Sequence, residues 1–171
     1  MNYGQIRKYD IANGVSIRTS VFVTGCTRHC PDCFNEEYQD FQAGKPWTDA
    51  ETAMILDYLK DDNVAGLTFL GGEPMQNTEG LTALARKVKE ASEKSIWVYS
   101  GFLLEEILAD PDKKALLETC DVLVDGPFVA ALRNPRLRFR GSANQRVIDI
   151  QKTLKEGDVV LYRDDITGDV M

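Results

Sequence analysis

Hydrophobic positions along the chain fall into short apolar runs separated by amphipathic stretches. Ser16 to Thr24 is rich in β-branched residues, stops at Gly25 and predicts a strand. Thr48-Asp49-Ala50-Glu51 has the form of a capping box, with Pro46 just before it. Ile55, Tyr58 and Leu59 come next at helical spacing, so a helix is expected to about Asp61. Gly66 to Leu70 is a short apolar run, the mark of a buried strand. Leu81, Leu84, Ala85 and Val88 line one face of a helix, and Ile96 to Tyr99 predicts the next strand. Leu103, Leu104, Ile107 and Leu108 form another helical stripe, broken at Pro111. A turn or two around Leu116 and Leu117 leads into a strand at Val122 to Val124. Val147 to Ile150 and Val159 to Tyr162 are later strand candidates.

Alternating strands and helices predict an α/β fold with a parallel sheet and crossover helices. The strands are short and continuously apolar, as expected when both faces are covered. A complete eight-fold barrel takes about 250 residues. A chain of 171 residues fits a partial, open parallel β/α barrel instead, with a flat doubly wound sheet as the other arrangement. The length suits one domain over 1–171, with a core at about 14–150 and a tail, 151–171, to which no role is assigned.

The residues just after each strand carry the chemistry. The first strand runs into a cysteine cluster, Leu70 into Gly71-Gly72-Glu73-Pro74, Tyr99 into Ser100-Gly101, and Val124 into Asp125-Gly126-Pro127. In parallel β/α folds such loops gather on one face, where ligands bind.

Composition narrows the possibilities. Hydrophobic residues make up 43% and charged residues 27%, an ordinary globular balance. The net charge of −7 argues against a general nucleic-acid binder. Arg133, Arg136, Arg138 and Arg140 are a local exception that could hold phosphates, face an acidic partner or edge a solvated loop. Met1 to Arg7 has no apolar core of the signal-peptide kind, and no stretch approaches the roughly 20 apolar residues that span a bilayer. A cytoplasmic protein without a membrane partner is expected. Three of the four cysteines lie within eight positions, a spacing that reads as metal ligation rather than a disulfide framework.

Cys26, Cys30 and Cys33 are spaced C-x3-C-x2-C. A [4Fe–4S] cluster normally takes four thiolates. A local set of three leaves one iron open, and an open position makes a metal site reactive. Cys120 stands just before a strand, toward the opposite end of the sheet, and reads as a buried thiol. The alternative is structural zinc on Cys26, His29, Cys30 and Cys33, but adjacent residues such as His29 and Cys30 rarely both reach one tetrahedral ion.

The cysteine spacing at the end of a first strand resembles the signature of the radical S-adenosylmethionine (SAM) superfamily. Gly71-Gly72-Glu73-Pro74 resembles its second motif. Within that superfamily the chain is similar to the activating proteins of anaerobic (class III) ribonucleoside-triphosphate reductases. The segments that carry this likeness are Asp10 to Gly14, Cys33-Phe34-Asn35, Ile96 to Gly101, Val122 to Phe128 and Arg140 to Gln145.

The resemblance implies one [4Fe–4S] cluster on Cys26, Cys30 and Cys33, with SAM chelated to the open iron. It implies that Gly71, Gly72 and Glu73 hold the methionine end of SAM. Ser100, Gly101 and, more weakly, Asp125 would face its ribose and carboxylate. The superfamily commonly has an aromatic residue before the last cysteine, where this chain has Asp32, and Phe34 comes after Cys33 instead. Backbone contacts from Asp32 to Phe34 are therefore expected beside the adenine. The implied activity is reductive cleavage of SAM, giving a 5′-deoxyadenosyl radical that takes hydrogen from a glycine of the partner reductase. The electron would come from a flavodoxin-like donor. Two other functions share parts of this pattern: a 7-carboxy-7-deazaguanine synthase-like enzyme acting on a small molecule, and a zinc-stabilised binding module.

Overall fold

The computed structural model describes all 171 residues, Met1–Met171. Strands β1 (Asn2–Asp10) and β2 (Arg18–Val23) are followed by a two-residue strand, β3 (Lys45–Pro46), and helix α1 (Asp49–Tyr58). Then come β4 (Gly66–Gly71), α2 (Thr78–Ala91), β5 (Ser95–Tyr99), α3 (Leu104–Leu108), α4 (Pro111–Glu118) and β6 (Val122–Asp125). Strand β7 (Arg146–Asp149) and helix α5 (Ile150–Glu156) complete the elements. The strands form one open sheet in the order β3-β1-β2-β4-β5-β6-β7.

The four central strands, β2, β4, β5 and β6, are parallel, and their registers align Val23 with Gly71 and Val98 with both Phe69 and Leu123. The edges run antiparallel: β1 on β2, β3 on β1, and β7 on β6. The sheet is thus mixed rather than wholly parallel, because β1 and β7 join their neighbours without a helical crossover.

Side-chain alternation divides the two faces. Ile96 and Val98 point into a core of 22 buried residues shared with all five helices, including Ile55, Leu81, Leu84, Ile107, Leu116, Leu117 and Ile150. Trp97 points the other way, into a small cluster with Val122, Val124 and Val147, flanked by Tyr99, Phe139, Tyr162 and Met171. Helices therefore cover one face only, so the sheet is not doubly wound.

Arg18, only 2% exposed, ties three central strands together on the face opposite the helices. Its guanidinium donates to Thr68 Oγ1 (2.9 Å), Leu67 O (2.9 Å), Ser95 O (2.8 Å) and Ser95 Oγ (3.1 Å), and lies over Trp97. Burial pushes its pKa down to about 10.

Several boundaries differ from expectation. The first predicted strand begins at Arg18, because Ser16 takes a left-handed turn (φ 65°). The capping box at Thr48 forms as expected, but α1 stops at Tyr58 rather than near Asp61. Pro111 does not merely end a helix. It opens α4 at its first turn, where a missing N–H costs nothing, with Asp110 as the cap. Val159 to Tyr162 is not a strand: only isolated bridges, Ile148 to Leu161 and Arg163 to Val170, form there. β1 and α5 carry no strong apolar pattern, so nothing in the sequence announces them.

Candidate functional site

The central strands end together on a cavity of about 510 Å³. Gly25 leaves β2 with φ 102°, and its N–H donates to Tyr38 O (2.8 Å), while Cys26 N–H donates to Gln39 O (2.9 Å). These bonds close the base of the cysteine loop. Between them the chain turns twice through left-handed residues other than glycine, His29 (φ 49°) and Asp32 (φ 56°), types that tolerate this region better than most. Cys33 N–H bonds Cys30 O at 3.2 Å. The result places Cys26, Cys30 and Cys33, all half-buried free thiols, on the cavity wall.

The glycine turn after β4 is built against that loop. Gly72 N–H donates to Val23 O and Glu73 N–H to Gly25 O, both at 2.8 Å. Gly71 has φ 106°, and a Cβ on Gly72 would stand 2.6 Å from Tyr38 O and 2.7 Å from Gly25 O. Glycine is required here by the close approach of two backbones.

Glu73 is 1% exposed and joins this turn to the next. Its carboxylate accepts from Met75 N–H (2.8 Å), Ser100 Oγ (2.9 Å) and Gly101 N–H (2.6 Å). Burial pushes its pKa up, against those three hydrogen bonds. Both oxygens are engaged within the protein, so Glu73 braces the strand-end loops. Ser100 Oγ also accepts from Phe102 N–H at 3.0 Å.

Of the residues singled out from the sequence, Cys26, Cys30, Cys33, Phe34, Gly71, Gly72, Glu73, Ser100 and Gly101 share the cavity. Asp32 and Asp125 do not line it. Asp32 is exposed at a loop bend. Asp125 is fully buried: its carboxylate accepts from Leu104 N–H (2.8 Å), at the start of α3, and from Arg146 Nε (3.0 Å) and Nη2 (2.5 Å). Those bonds explain it as the joint between β6, β7 and α3. Cys120 lies in the helix-side core, fully buried, so it is remote from the loop thiols.

Other lining residues come from segments whose role the sequence did not disclose. Arg7 arrives from β1, Arg28 from the cysteine loop, and Phe128, Arg133, Phe139 and Arg140 from the segment between β6 and β7. Phe34 packs at a tilt against Phe128, ring centroids 4.9 Å apart, under the Arg133 guanidinium. The arginine string therefore divides: Arg133 and Arg140 reach the cavity, Arg136 is exposed, and Arg138 pairs with Asp164. Tyr99 Oη and Arg140 Nε are buried with no partner in the protein.

The donor set suits a cluster better than a single ion. No three cysteine, histidine or carboxylate side chains converge as one ion would need, and His29 Nδ1 is engaged 3.0 Å from Gln39 Oε1. A cubane meets each thiolate at a different iron, so its ligands ring it rather than converge. Three thiols on one cavity wall fit a cluster, and Tyr99 and Arg140, which line the same cavity, each keep a buried polar atom without a partner that a further polar ligand would satisfy.

Fold and site together define an α/β protein with a three-cysteine loop, of the kind that suits an iron–sulfur cluster, at the ends of its parallel strands. A family model described as a 4Fe-4S single cluster domain matches residues 12–148. The chain is 40% identical over 150 residues to an anaerobic ribonucleoside-triphosphate reductase-activating protein of Haemophilus influenzae, covering 85% of this chain and 96% of that one. It is 37% identical over 152 residues to the protein of the same name in Escherichia coli K12 (86% and 97%), and 34% over 150 residues to that of Enterobacteria phage T4 (86% and 93%). The chain belongs to the family of anaerobic ribonucleoside-triphosphate reductase-activating proteins.

Proposed function

We propose that this protein is a radical SAM activase that reductively cleaves SAM at a [4Fe–4S] cluster held by Cys26, Cys30 and Cys33 and generates a glycyl radical on anaerobic ribonucleoside-triphosphate reductase. One observation carries the proposal: the cysteine loop and the Gly71-Gly72-Glu73 turn are hydrogen-bonded base to base and open on the same cavity. The bound cofactors supply the hard chemistry, an electron from the cluster and a radical from SAM.

The chain's own residues position and enclose. The N–H groups of Gly72 and Glu73 are committed to Val23 O, at the end of β2, and to Gly25 O, and the ammonium of SAM, itself a donor, would meet carbonyl oxygens of this turn. Glu73 fixes the Ser100-Gly101 turn against it and thereby sets the cavity's width. Tyr99 and Arg140 line the cavity, and their buried, unpartnered Oη and Nε are donors that a ribose or carboxylate oxygen reaching them would satisfy. Burial pushes the Tyr99 pKa up, so the phenol keeps its proton. Backbone from Asp32 to Phe34 would lie beside the adenine.

The open sheet, with helices on one face and the cavity on the other, fits the partial barrel of radical SAM enzymes. An unclosed mouth admits a glycine-bearing loop of another protein. The electron donor is a flavodoxin-like protein.

The test is anaerobic: reconstituted protein, SAM, a reductant and the reductase. A glycyl-radical doublet by electron paramagnetic resonance is expected, and none with Cys30→Ala, which loses cluster but keeps its far-ultraviolet circular dichroism. SAM cleavage without any protein radical would favour a small-molecule substrate instead.

A further inference from the structure

The family match ends at residue 148, yet the chain beyond α5 folds back against the cavity wall. Residues 159–171 make a small hairpin: Asp164 N–H donates to Asp169 O (2.8 Å), Gly168 N–H to Asp164 O (2.6 Å), and Met171 N–H to Tyr162 O (3.0 Å). Tyr162 N–H anchors it to Val147 O at 2.9 Å.

This hairpin grips the segment between β6 and β7 at two points. Asp164, 1% exposed, accepts from Arg138 Nη2 at 2.8 Å, and Asp169 lies 3.7 Å from Arg138 Nη1. Tyr162 packs edge-on to Trp97 (5.2 Å), whose ring also meets Phe139 (5.3 Å). Phe139 is held at φ 61°, an unfavourable conformation for a bulky residue that persists only where neighbours enforce it. Arg138, on one side of Phe139, is the gripped residue, and its guanidinium covers the Phe139 ring. Arg140, on the other side, carries the buried, unpartnered Nε, and both Phe139 and Arg140 line the cavity.

We propose that the C-terminal hairpin is a positioning strap for the SAM cavity: Asp164, through Arg138, and Tyr162, through Trp97, hold Phe139 and Arg140 in the wall. Neither Asp164 nor Tyr162 touches the cavity. The SAM part of this proposal rests on the activase function, whereas the grip on the wall does not.

The test uses full-length Asp164→Asn, with Tyr162→Ala as a second variant should the first fail to fold. Two quantities are measured on anaerobically reconstituted protein. One is the rate of tryptic cleavage at Arg133, Arg136, Arg138 and Arg140. The other is the SAM dissociation constant by equilibrium dialysis. With circular dichroism and iron content unchanged, cleavage should quicken and SAM affinity fall, each by about fivefold, the scale of residues that act on a site without contact. Arg138→Lys, which keeps a cation for Asp164, should stay closer to wild type. Unchanged cleavage overturns the strap. Faster cleavage at unchanged SAM affinity overturns its role in positioning and leaves only a buttress. If wild type itself does not bind SAM, the activase proposal falls, and the cleavage rates alone decide whether the strap holds the wall.

Discussion

Among single residues, the cysteines divide most sharply. Cys120 is fully buried at the end of α4, its thiol donating to Leu116 O at 3.3 Å, and burial pushes its pKa up to about 12. Near pH 9 an ordinary thiol is substantially ionised, whereas Cys120 remains a thiol and unreactive. Metal-free protein treated with iodoacetamide under native conditions should gain three labels, on Cys26, Cys30 and Cys33, and the fourth only after denaturation. Mass spectrometry of the peptides checks this, and native labelling of Cys120 would contradict its placement. Glu73→Gln should cost about 2 kcal/mol in denaturant melts, because an amide turns an N–H₂ toward groups that are themselves donors. The loop thiols and the paired glycines were legible in sequence, since each has a chemistry few residue types can supply. The tasks of Asp125, Tyr99 and Arg140 were not, because each depends on what stands opposite across the fold, such as Arg146 for Asp125.

At the scale of elements, α1 shows how far local rules reach. Thr48 Oγ1 accepts from Ala50 N–H (3.2 Å), and Glu51 reaches back to Thr48 N–H (2.8 Å), which with the Thr48 hydroxyl holds its pKa down to about 2. Thr48→Ala should lower stability by about 1 kcal/mol. A carboxylate whose folded pKa is depressed stabilises the fold above the ordinary carboxylate range, and that contribution fades as pH falls through the folded value. The gap between wild type and Thr48→Ala should therefore be full above about pH 5 and narrow toward pH 2, as read from denaturant midpoints. The capping box, α2 and the four central strands were visible because each is set by near neighbours or by continuous burial. β1 was not: a half-exposed strand, covered on its outer side only by the two residues of β3, has no need of an apolar run. Val159 to Tyr162 has strand composition but meets its neighbours only at single bridges.

Over the whole molecule, one buried cation and one bare sheet face set the architecture. Arg18 reaches the next two strands of the sheet, β4 and β5, so Arg18→Ala would leave four acceptors without their donor, those of Thr68 and Leu67 in the interior. A loss of about 3 kcal/mol or more is expected, seen as a sharply lower melting temperature with the central sheet as the failing unit. The strand-helix alternation disclosed the helix-clad side, whereas the cavity side was hidden because aromatic residues from three distant segments, Trp97, Phe139 and Tyr162, assemble it. The cysteine loop, finally, contributes nothing to the 22-residue core, and its base is closed by backbone hydrogen bonds of the protein itself. Exposure to air should thus bleach the protein without unravelling it. Iron, sulfide and a thiol reductant, offered afterwards to the colourless chain, should restore the brown enzyme directly, so that oxygen damage here is an injury of content rather than of form.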